Sequence, residues 1–238
     1  MKIGLIGDSL TEGRPGVSFV NILKSNYPDI TFVNHGKPGE STKSLFARLI
    51  KTTLETDYNL SFLWIGVNDV YSKLLSVQAH PVAKDREEFE GYYRKVLDFV
   101  LASANKVIVV TPALVGEDVT STSNKEIKEL SVLIESISSE HENVSCLNLQ
   151  SVFEGYLDKV DSSDYISTKV MRVMKDVLLY KKPSRIDALS EKRGLHFTLD
   201  GIHLNSKGAQ IVADAYSSLI DQLIIDEKEV HDGEPYEV

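Results

Sequence analysis

A serine becomes a strong nucleophile when an imidazole can take its proton and a carboxylate holds that imidazole in one tautomer. This chain carries all three groups in widely separated stretches. Ser9 sits in Gly7-Asp8-Ser9-Leu10, directly after the apolar run Ile3, Leu5, Ile6. Asp200-Gly201-Ile202-His203 places an acid and an imidazole three residues apart. Between them lie two sources of uncharged donors. Gly39, in the turn-rich stretch His35 to Thr42, lets the backbone approach a ligand closely because it has no side chain. Asn68, in Gly66-Val67-Asn68-Asp69, offers an amide N–H that does not titrate. Together these suit acyl transfer, in which a tetrahedral oxyanion forms and must be stabilised. Taken singly, each stretch is an ordinary turn or loop. It is their order, each beside an expected element, that points to chemistry.

The elements that must position them follow from the hydrophobic pattern. The run ending at Gly7 reads as a strand buried on both faces of a parallel sheet. Further strands are expected over 30–34, 61–65, 106–111 and 144–149, with helical stripes over 17–25, 45–54, 85–100 and 124–141. Ser41 or Thr42 can cap the second of these helices and Asp85 the third. Fivefold alternation of this kind argues an α/β fold, a parallel sheet covered on both faces, with the common flavodoxin-like order 2-1-3-4-5. In such a sheet all carboxyl ends share one edge, so the loops bearing Ser9, Gly39 and Asn68 meet there. After the fifth strand, helices are expected over 152–157 and 166–180, then a basic, proline-interrupted connection over 181–185. A last helix begins at about 206, capped by Asn205 or Ser206, and fixes the Asp200–His203 loop just ahead of it. One domain over 1–225 is the economical reading, with 226–238 a flexible acidic tail.

Gly7-Asp8-Ser9-Leu10, Gly39, Gly66-Val67-Asn68-Asp69 and Asp200-Gly201-Ile202-His203 resemble the four sequence blocks of the GDSL, or SGNH-hydrolase, superfamily. The resemblance implies a three-layer α/β/α sandwich and ester hydrolysis through a serine acyl-enzyme, without metal or organic cofactor. It implies Ser9 as nucleophile and oxyanion donor through its N–H, Gly39 and Asn68 as further oxyanion donors, His203 as general base and Asp200 as its orienting acid. Gly36 competes for the role of Gly39, which is preferred because it precedes the Glu-Ser-Thr helix start. The stretch 151–194 follows no block and reads as a variable helical insertion, a lid or a dimer contact. Asp8, Tyr71 and His80 are the expected substrate contacts, and the expected substrate is a small ester of short acyl chain, such as an acetyl ester of a sugar.

Rival readings use the same residues differently. An acyltransferase would replace water by another alcohol, and a binding module would keep the sheet without turnover. A metal-dependent phosphoesterase would recast Asp8, Asp69, Asp200, His196 and His203 as ligands, but leaves Ser9, Gly39 and Asn68 without a role. Composition narrows the partners. The formal charge of −9 provides no basic excess to neutralise phosphates, which argues against nucleic acid. Cys146 is the only cysteine, so no intrachain disulfide can form, and it is expected to be a buried strand residue. No apolar run approaches the roughly 18 residues of a membrane span, and only two residues precede the first strand, so a cytoplasmic location is expected. A homo-oligomer built on the 166–180 helix is a further expectation.

Overall fold

Five strands hydrogen-bond into one all-parallel sheet in the computed structural model, which describes residues 1–75, 80–161, 163–168 and 182–232. They are β1 (Lys2–Gly7), β2 (Thr31–Asn34), β3 (Tyr58–Trp64), β4 (Ala104–Val110) and β5 (Val144–Leu147), in the spatial order β2-β1-β3-β4-β5. The expected 2-1-3-4-5 topology is therefore the one present. β1 pairs with β3 from Ile3 opposite Leu60 to Gly7 opposite Trp64, which brings the end of β1 beside the end of β3. Ile3, Leu5 and Ile6 of β1 and Leu60, Phe62, Leu63 and Trp64 of β3 are buried, as central strands covered on both faces require. β2 and β5 are four-residue edge strands and are more open. That edge position leaves Cys146 half-buried where full burial was expected, and burial pushes its thiol up to about 12.

The helices are α1 (Ser9–Glu12), α2 (Phe19–Asn26), α3 (Thr42–Leu49), α4 (Val67–Tyr71), α5 (Arg86–Leu101), α6 (Thr122–Ser138), α7 (Leu149–Leu157), α8 (Pro183–Lys192) and α9 (Ser206–Asp232). On one face α2 and α9 pack together over β3. Tyr216 of α9 stacks on Phe62 at 4.1 Å between ring centroids and leans on Phe19, which meets Trp64 edge-on. On the other face α3, α5 and α6 form a second helical layer. α5 starts where Asp85 accepts from the Glu88 N–H, and α3 starts in a capping box between Ser41 and Ser44. No helix among the described residues is long and apolar enough to cross a membrane.

The structure corrects several boundaries. α3 ends at Leu49, so Leu54 contributes to the core from outside the helix. The Gly66–Asp69 stretch, expected as a loop, begins α4, whose five residues are all buried and which Gly66 precedes with φ of +121°. The expected connection over 181–185 contains the start of α8. Pro183 occupies the first helical position, where its fixed φ suits the helix and its missing N–H is no loss. Residues 166–168 are not helical, and 169–180, the rest of the helix expected over 166–180, lie outside the described residues. α9 runs on through Asp232, into the stretch read as a flexible tail, since extending a formed helix is far easier than starting one.

Candidate active site

The site begins where β1 stops. Gly7 ends the strand against the Trp64 carbonyl, and Asp8 turns the chain into α1 by accepting the Leu10 N–H at 2.9 Å. Ser9 is thereby the first residue of α1, with its hydroxyl at the carboxyl edge of the sheet. Its Oγ lies 3.1 Å from Nε2 of His203, across 194 residues of sequence.

The loop before α9 is shaped around Asp200. One carboxylate oxygen accepts the N–H groups of Ile202 and His203, at 3.1 and 2.9 Å, so the acid folds the turn that carries the imidazole. The other oxygen lies 2.9 Å from Nδ1 of His203. With Nδ1 protonated toward the carboxylate, Nε2 is the nitrogen that accepts the Ser9 O–H. Asp200 is fully buried, which opposes its charge. The adjacent imidazole and the two N–H groups outweigh that cost and hold its carboxyl below the usual range. An antiparallel bridge between Thr198 and Leu204 and a bond from Leu199 N–H to the His203 carbonyl close the loop.

Two glycines follow β2, and the structure separates them. A Cβ on Gly36 would lie 2.2 Å from the Glu12 nitrogen, so Gly36 is the point where this loop packs on α1, and its N–H is taken by Asn34. Gly39 has φ of +73°, where side chains are disfavoured, and its N–H meets no acceptor among the described residues. The Asn68 side-chain amide donates to the carbonyl of Glu40, next to Gly39, at 3.0 Å and to Asp8 at 3.2 Å. Ser9, Gly39, Asn68, Asp200 and His203 thus come from four loops to one rim.

Of the three residues expected to meet substrate, two are engaged within the protein. Asp8 is buried, with its oxygens accepting from Leu10 and Asn68, and burial pushes its carboxyl up to about 7. The Tyr71 hydroxyl donates to the Ser167 carbonyl and so pins the 163–168 segment over the Asp200 loop, where Ser167 N–H also bonds the Asp200 carbonyl. His80 is half-buried and has no hydrogen bond to the site among the described residues. The five residues of the metal reading do not form one group that could hold a metal ion among the described residues. Asp69 accepts both the N–H and hydroxyl of Thr42, His196 Nε2 meets the Asp161 carbonyl, and His203 faces Ser9.

Supporting residues were not legible in the sequence. Arg48 grips the buried Glu40 carboxylate through two nitrogens and also donates to the His35 carbonyl, closing the turn that holds Gly39. Its signal was only an Arg on the polar side of a helical stripe. Asp69 ties α4 to the start of α3 through Thr42, and burial pushes its carboxyl up to about 6. Glu117 stood in the sequence as one of two adjacent acids after a glycine, and nothing marked it.

The fold is shared with solved esterase structures. An acetyl xylan esterase, AlAXEase, superposes with a TM-score of 0.67 at 22% identity, over 92% of this chain and 100% of that one. A catalytic mutant of an acetylxylan esterase from Geobacillus stearothermophilus superposes at 0.62 with 19% identity, over 90% and 91%. A possible lipase from Chitinophaga pinensis does so at 0.65 with 15% identity, over 93% and 98%. Among curated protein sequences no match is found. The family model for GDSL-like lipase/acylhydrolase matches residues 3–216, and the chain belongs to that family of carboxylic ester hydrolases.

Proposed function

We propose that the chain hydrolyses small carboxylic esters by acyl transfer to Ser9, with His203 as general base and Asp200 as its orienting acid. The observation that carries this reading is the unbroken contact from hydroxyl to imidazole to carboxylate, 3.1 and 2.9 Å long. Ser9 Oγ attacks the ester carbonyl carbon while its proton passes to Nε2 of His203. The oxyanion accepts from the N–H groups of Ser9 and Gly39 and from the Asn68 amide, whose longer bond, to Asp8, is the one it replaces. Collapse expels the alcohol, which takes the proton from Nε2. Water then adds to the acyl-enzyme in the same way, and the carboxylic acid leaves with Ser9 restored.

The substrate class we favour is a short acyl ester, an acetyl ester of a sugar in particular. Similarity in fold to two acetyl xylan esterases supports it. The test is a series of p-nitrophenyl esters of rising acyl length beside acetylated xylooligosaccharides, with Ser9→Ala as control. Activity confined to acetyl and propionyl esters, with Ser9 labelled by a fluorophosphonate, is the expected result. Full turnover by Ser9→Ala would end this mechanism, and a preference for long acyl chains would end the substrate assignment. If water is the acceptor, acid release matches alcohol release one for one. A shortfall of acid when a sugar is added would instead mark a transferase.

A further inference from the structure

We infer that Glu117 is a positioning residue for the Asp200–His203 pair, an inference that rests on the serine mechanism above. Glu117 lies in the loop after β4, and its side chain is buried beneath the segment that leads into the Asp200 turn. One carboxylate oxygen accepts the N–H groups of Phe197 and Thr198 and the Thr198 hydroxyl, each at 2.8 Å. The other accepts the His196 N–H at 2.7 Å. Three consecutive backbone amides thus converge on one acid, and no cation among the described residues pairs with it.

The contacts continue in both directions. Thr198 Oγ1, while donating to Glu117, accepts the Gly201 N–H at 3.2 Å, inside the turn between Asp200 and His203. The Gly116 N–H donates to the Gly201 carbonyl at 2.7 Å. Behind Glu117, the buried Asn124 near the start of α6 accepts from Val115 and donates to the carbonyls of Gly116 and Asp118, which holds the acid's own backbone. A continuous set of hydrogen bonds therefore runs from α6 through Glu117 to the turn that presents the imidazole. The same loop is held elsewhere by the Thr198–Leu204 bridge, by the Val17 N–H on the Leu204 carbonyl and by Ser190 and Arg193 on the Thr198 and Leu199 carbonyls, and the Glu117 set adds its anchor to the loop after β4. Glu117 is buried and both of its oxygens accept from the protein, so it acts through the loop and not on substrate.

The experiment uses Glu117→Gln and Thr198→Val in the full chain, assayed on p-nitrophenyl acetate across pH, with active sites counted by fluorophosphonate titration. Glutamine can keep an oxygen toward Phe197 and Thr198 but sets an NH2 group against the His196 N–H. Valine keeps the shape of threonine and removes the link to Gly201. For each, kcat per titrated site is expected to fall about 10- to 100-fold, as misplacement of a catalytic group by a fraction of an ångström to an ångström does, with KM within about twofold. The acidic limb of kcat/KM is expected to move to lower pH, because an imidazole that loses alignment with its carboxylate is less readily protonated. Should Glu117→Gln fail to accumulate as folded protein, Thr198→Val reads the same two quantities. A fall only in the number of titratable sites, with kcat per site and the pH limb unchanged, would overturn the proposal and leave Glu117 a residue of stability alone. Ser9→Ala separates the two levels: if it retains turnover, the serine mechanism fails. If it is inactive while both loop variants match the parent per site, only the role of Glu117 fails.

Discussion

Asp8 stands beside Ser9 in sequence and is buried next to it, and replacing it by asparagine should change how stability depends on pH. Burial is the largest influence on its carboxyl, aided by the nearby Glu40 and Asp69 and opposed by the Leu10 N–H and by His203, and together these raise it from the ordinary 3.8 to about 7. Because the folded protein holds this proton more tightly than the unfolded chain does, the group's contribution is full below about pH 4 and is lost as pH rises through about 7. A rise of about 3 in pKa, at about 1.4 kcal/mol each, makes that loss about 4 kcal/mol. Asparagine cannot ionise, so the variant should lack the loss. It can still accept the Leu10 N–H, but it sets an NH2 group against Asn68 or gives up the Leu10 bond, a pH-independent cost of about 1–3 kcal/mol. The variant should therefore be the less stable protein near pH 4 and the more stable one near pH 8. Urea unfolding of both proteins at steps across that range gives the difference directly, and contributions from groups that do not interact with Asp8 cancel in it. A difference constant to within about 1 kcal/mol across that range would show that Asp8 is not held protonated by its surroundings, and the burial argument would be wrong.

Other substitutions bear on the mechanism and the fold. Asp200→Asn should lower kcat on p-nitrophenyl acetate about 10⁴-fold while the protein stays folded, since the amide no longer fixes the His203 tautomer; a loss under tenfold would count against that role. Asn68→Ala should lower kcat about 10²–10³-fold with KM little changed, read in the same assay. Tyr71→Phe removes the hydroxyl that holds the Ser167 carbonyl, and should cost about 1 kcal/mol in urea unfolding. Leu63→Ala, next to the end of the central strand β3 and wholly buried, should cost about 2–5 kcal/mol in the same measurement, and a smaller loss would mean that the cavity collapses.

What the amino-acid order determined by itself was the strands of the sheet and which residues are candidates for the chemistry. Strands covered on both faces must be nearly continuous in apolar residues, so β1, β3 and β4 could be read from their runs and the parallel arrangement from their alternation with helices, while the order 2-1-3-4-5 was expected only as the common one; the periodic stripe of α9 was plain. Ser9, Asn68, Asp200 and His203 were legible because the loop of each follows or precedes such an element. Element ends were less so: Pro183 starts a helix where a connection was expected, because the same residue serves both, and Leu54 is buried without being helical. Tertiary structure alone decided which polar atoms face inward. Gly36 and Gly39 share one turn, and only the place of Gly39 before the helix start favoured it; the packing of Gly36 against the Glu12 nitrogen and a Gly39 N–H with no acceptor among the described residues belong to the tertiary structure. Asp8 and Tyr71, expected to meet substrate, have partners within the protein, Asn68 and Ser167, that lie 60 and 96 residues away in sequence. Glu117 carried no local signal at all. A hydrogen bond is a property of two groups and their separation in space, and the spacing of residues along a chain does not contain the partner that folding brings to each.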